Sequence, residues 1–70
     1  MFVKIENWDD DTPLILNVDN ILAIHRYMGE AEAFKDCWEV IFNMHASGEC
    51  RYLITQEQYT ALCEILTKRL

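Results

Sequence analysis

Few residues in this 70-residue chain are of a type that does chemistry. They are the cysteines at 37, 50 and 63, the histidines at 25 and 45, and the carboxylates massed at Asp9-Asp10-Asp11. A structural zinc site announces itself by a close Cys or His pair on a tight turn. His45 and Cys50 only flank a turn, and His25 and the other thiols stand far off in sequence. A calcium loop counted from Asp9 needs Gly at its sixth position and Glu at its twelfth. Those positions hold Leu14 and Asn20, so the acidic run reads as a solvated turn. A nucleophilic Cys needs a base and an orienting acid around a cleft, and a chain this short has little room for one. Gly29 and Gly48 are too far apart for a phosphate-binding loop. The expectation is no catalytic residue, no metal, no cofactor and no enzyme.

Composition narrows the remaining classes. Twelve acidic against six basic residues leave a net charge of −6 and a pI near 4.6. A nucleic-acid clamp or an anionic membrane would need clustered Lys and Arg, so neither is an expected partner. Arg26-Tyr27 and Arg51-Tyr52 are adjacent pairs, but neighbours on a strand point to opposite faces and each pair splits. With 51% hydrophobic residues, two Gly and one Pro, the chain is expected to fold as a single domain over 1–70. Three cysteines cannot all pair, and no signal-like or long apolar run precedes them. A reducing cytoplasm with thiols as core residues is the expected setting. A core this small usually needs a disulfide, a metal or a second subunit, which leaves self-association.

The elements that must position these residues are short. Val3 and Ile5 alternate with Lys4 and Glu6, predicting a strand over 2–7. Asp9 to Pro13 breaks it, and a second strand follows over 14–17. Asn17-Val18-Asp19-Asn20 is a turn by its Asx content. A third strand spans 21–27, with Leu22, Ile24 and Met28 expected on one face and Ala23, His25 and Tyr27 on the other. Residues 29–36 read as a solvated loop with room for a helical turn. Strand 37–44 sets Trp38, Val40, Phe42 and Met44 against Glu39, Ile41 and Asn43, and a turn over 45–49 returns the chain into strand 50–54.

A helix over 56–69 closes the chain. Thr55 and Gln58 have capping-box spacing, Glu57 suits the positive end of the helix, and Lys68 and Arg69 suit the other. Tyr59, Leu62, Cys63, Leu66 and Leu70 form one stripe, widened by Ile65. The fold class expected is α+β: a small curved antiparallel sheet of about five strands with one C-terminal helix packed on it. Over about residues 14–66, Leu16-Asn17-x-Asp19-x-Ile21-x-x-Ile24, then Gly48, Tyr52-Leu53-Ile54 and a Glu57-bearing helix resemble the short flagellar FlbD-like proteins. Tiny PH-like domains share the layout. The sequence departs from the pattern in its longer charged loop (29–36) and in His45-Ala46-Ser47-Gly48-Glu49, which replaces a tight Asn-Gly turn. The resemblance implies a small binding module without enzymatic activity.

Surplus hydrophobic surface points the same way. Phe2, Trp8, Phe34, Trp38 and Ile41 are hard to fit into one small core, and exposed aromatics are enriched at protein interfaces. The expected contact residues are Trp8, Asp9, Asp10, Asp11, Phe34, Trp38 and Ile41. The leading expectation is a non-catalytic module that binds another protein and also itself, burying Trp38, Phe42 or Ile41 in a shared face. An alternative is a phage or mobile-element inhibitor. Eight acids between residues 6 and 36, against Arg26 and Lys35, would engage a basic nucleic-acid-binding protein. A third is a small-ligand sponge at a subunit interface.

Overall fold

In the computed structural model, which describes residues 1–44 and 48–68, the N-terminal alternating run forms β1 (Phe2–Glu6). The apolar run after the aspartates forms β2 (Pro13–Asn17). They pair antiparallel with Lys4 opposite Ile15. Val3, Ile5, Leu14 and Leu16 therefore share the inner face, and Phe2, Lys4, Glu6, Pro13 and Ile15 share the outer one. The Oδ1 atom of Asn17 accepts the Asp19 N–H at 3.1 Å, setting up a 3₁₀ turn over Val18–Asn20. That turn carries the chain out of the first sheet. Consequently β3 (Ile21–Arg26) pairs with β4 (Trp38–Met44) rather than β2, and β4 pairs with β5 (Gly48–Ile54). The fold is α+β with five short antiparallel strands and a C-terminal helix, the strands dividing into a two-stranded and a three-stranded sheet.

The facing of β3 departs from simple alternation and needs correction. Ile21 stands opposite Phe42, but Ala23 stands opposite Ile41, so the register slips at Leu22. Such a bulge adds one residue and changes the phase of those around it. Ile21 and Ile24 pack on the core, while Leu22 and Met28, expected beside Ile24, are exposed. Strand β4 has no such slip, and Trp38, Val40, Phe42 and Met44 all face the core as their spacing implied. Phe42 is only 1% exposed within the chain's own core. It is thereby removed from any face shared with a second subunit.

The helix α1 (Gln56–Lys68) starts where the Thr55 hydroxyl oxygen accepts the Gln58 N–H at 3.2 Å. The reciprocal half of the capping box is not made. Instead the Gln58 amide reaches β1, where Oε1 accepts the Glu6 N–H at 2.9 Å and Nε2 donates to the Glu6 carbonyl at 3.4 Å. Pairing alternates along a hairpin, and the Glu6 groups point away from β2. A carboxamide, with one donor end and one acceptor end, matches both. Leu62 is buried and Tyr59, Cys63, Ile65 and Leu66 are half-buried, which is the expected stripe. Its last member Leu70, with Arg69 and the turn residues His45, Ala46 and Ser47, lies outside the described residues. Ile5, Leu16, Val40, Phe42, Ile54 and Leu62 meet in one cluster between hairpin, sheet and helix. No helix among the described residues is long and apolar enough to cross a membrane.

Candidate protein-interaction surface

The acidic run sits in the loop joining β1 to β2. Asn7 N–H donates to Thr12 O at 3.0 Å, and Asp11 N–H donates to Asn7 O at 2.7 Å. Asp11 takes φ 56°, a left-handed conformation that Asp tolerates better than most residues. The Asp10 carboxylate accepts the Thr12 N–H at 3.0 Å. The Thr12 hydroxyl and then the Thr12 N–H hold the Asp10 pKa below its ordinary value.

This loop is also tied to the second sheet. Trp8 N–H donates to Leu53 O at 2.7 Å, and Asn7 Oδ1 accepts the Leu53 N–H at 3.1 Å. Two bonds to one residue of β5 fix the loop's base. Beyond that anchor, Trp8 remains 47% exposed beside three exposed aspartates. The structure thus brings Trp8, Asp9, Asp10 and Asp11 together.

The other expected contact residues are dispersed, and two are engaged within the chain. The Trp38 ring stacks on Tyr59 with centroids 3.5 Å apart and an interplanar angle of 4°. Its indole N–H donates to Gln56 Oε1 at 2.9 Å, and the Arg26 guanidinium lies 5.5 Å from its centroid. Phe34 belongs to a 3₁₀ turn over Glu32–Phe34 and meets Tyr27 edge-on at 5.6 Å. The Tyr27 ring occupies the space a Cβ at Gly29 would fill, so this loop needs its glycine for a close approach.

Ile41 is half-buried on the outer face of the three-stranded sheet, opposite Ala23 on one side and Arg51 on the other. Next to it lies a polar group that sequence reasoning missed. Glu39 Oε1 is 3.0 Å from both His25 Nε2 and Arg51 Nη1. His25 Nδ1–H also donates to the Arg26 carbonyl at 2.7 Å. Only strand register, fixed by the β3 bulge, aligns these three residues, and no local spacing could have revealed them.

Ile15 was missed for a different reason. A continuous apolar run such as Leu14-Ile15-Leu16 does not say which residue faces out. Ile15 is 72% exposed, and Phe2, diagonal to it on β1, is 68% exposed.

The thiols are placed for packing. Cys37 is buried, and desolvation, then the neighbouring Asp36 charge, raises its pKa. Cys50 and Cys63 are half-buried free thiols. A hydrogen bond with Cys63, then burial, raises the pKa of Tyr59. Among the described residues no three His, Cys, Asp or Glu side chains are grouped to hold a metal; His45 lies outside them. An open groove of about 580 Å³ runs along the helix past Tyr59, Cys63, Glu64 and Thr67. No family model, curated protein or solved structure matches the chain.

Proposed function

We propose that this chain is a non-catalytic protein-interaction module whose contact element is the loop Trp8-Asp9-Asp10-Asp11. The supporting observation is the anchoring of that loop. A half-exposed tryptophan and three solvated carboxylates stand on a base bonded twice to Leu53. A preordered loop loses less conformational entropy on binding than a free one, and an aromatic anchor beside charges is a common interface composition. The charges select a basic partner and speed its encounter. The inhibitor alternative would use the same loop, with the carboxylates standing in for phosphates.

Affinity capture with the intact chain tests both. The chain, its Trp8→Ala variant and its D9N/D10N/D11N variant are used as baits at low and high salt. The expected result is a basic protein held by the parent at low salt and lost by both variants. Competition by added DNA for that protein would favour the inhibitor role. The same proteins captured by all three baits would contradict the loop as contact element.

A further inference from the structure

We infer that β2 is a self-complementary edge that pairs antiparallel with β2 of a second copy about a two-fold axis at Ile15. Each of the other edge strands is engaged or disrupted at one point along its edge. The outward groups of Glu6 on β1 are gripped by the Gln58 amide, and Trp8 and Asn7 bond the β5 edge at Leu53. On β3, the bulge at Leu22 breaks the edge, and His25 takes up the Arg26 carbonyl. Strand β4 is paired on both sides.

The edge of β2 has neither device. The bonds Val18 N–H to Met1 O and Asn7 N–H to Thr12 O set the alternation of the hairpin, in which Leu14 and Leu16 bond β1. The N–H and C=O of Ile15 therefore point outward, and nothing among the described residues bonds them.

The pattern along this edge matches its own reverse. Antiparallel pairing centred on Ile15 exchanges both of its main-chain bonds with Ile15 of the second copy, and it sets Pro13 opposite Asn17. The Pro13 carbonyl can accept the Asn17 N–H. The N–H that Pro13 lacks would have gone to the Asn17 carbonyl, which instead belongs to the cap of the 3₁₀ turn. On the outer face, Ile15 of each copy meets at the axis, with Phe2 diagonal to each. Four exposed apolar side chains thus gather into one patch.

Charge selects a second copy over other placements for it. The Pro13–Asn17 segment PLILN is the one strand of the five with no charged residue or histidine. Antiparallel pairing sends the two Asp9–Asp11 loops to opposite ends, so a chain of net charge −6 meets itself where it carries none. Both loops stay open. A five-residue edge is at the small end of interfaces, so the association is weak and reversible.

The test is sedimentation equilibrium of the intact chain over the micromolar to millimolar range, with amide exchange of Ile15 followed by NMR. The parent is expected to show a monomer–dimer equilibrium, with exchange at the Ile15 N–H slowing as concentration rises. Ile15→Lys, at an outward position, is expected to weaken dimerisation at least tenfold with an unchanged far-UV spectrum. A parent that stays monomeric throughout, or a dimer in which Ile15 exchange ignores concentration, would overturn the inference. Neither result depends on the fate of the Trp8 loop, whose own test is heteromeric capture.

Discussion

Gln58 is the side chain that does most to join separate parts of the molecule. It begins the helix through its N–H to Thr55 and holds the end of β1 through its amide. Gln58→Ala removes the second link and is expected to cost about 1 kcal/mol, read as a lower urea midpoint at unchanged slope. Gln58→Glu keeps the acceptor and loses the donor, so its midpoint falls between the two. Shifted groups give the stability pH dependences of opposite sign at its acid and alkaline ends. Asp10 titrates below its ordinary 3.8 in the folded chain. Its contribution is full above that value and is lost as pH falls through the folded pKa, and Thr12→Val should flatten this acid limb. Cys37 titrates above its ordinary 9.0. Stability linked to it is full below pH 9.0 and falls as pH rises beyond; Cys37→Ala should shrink this alkaline limb, to which Tyr59, raised above its ordinary 10.0, also adds.

At the scale of elements, the helix is secured through Leu62, its one buried side chain. Leu62→Ala should cost roughly 3 kcal/mol. A core this small supplies only about 3–5 kcal/mol in total, so the variant should be largely unfolded by circular dichroism. The elements themselves were legible in sequence. Val3 and Ile5, or Val40 and Phe42, declare a strand and its buried face by period alone, and Thr55 marks the helix start, whereas Pro13, read as part of the break, is the first residue of β2. The β3 facing was not legible, because the bulge at Leu22 arises from pairing with β4. Nor was the break between sheets, although Asn17 and Asp19 gave the turn that causes it. Of the contact residues, the cluster Trp8 to Asp11 was visible as contiguous sequence. The engagement of Trp38 by Tyr59 spans two elements, and the exposure of Ile15 depends on which face of the hairpin the core takes. Both are facts of assembly that no local pattern carries.

For the molecule as a whole, charge is unevenly used. Residues 1–35 hold seven acidic and three basic residues, and three of those acids crowd into one loop beside the exposed Trp8. Some acids elsewhere are paired locally, Glu39 with Arg51, Glu6 with Lys4 and Glu32 with Lys35 at 3.4 Å. An isolated acidic surface should make association faster at low salt and should leave folding stability almost unaffected. The most direct measurement of the central claim is the affinity of the captured partner for the chain and for its Trp8→Ala variant, with both urea midpoints measured alongside. If the anchored loop is the contact element, affinity falls at least tenfold while the midpoint moves by less than about 1 kcal/mol in stability. Equal affinities for the two chains would contradict it.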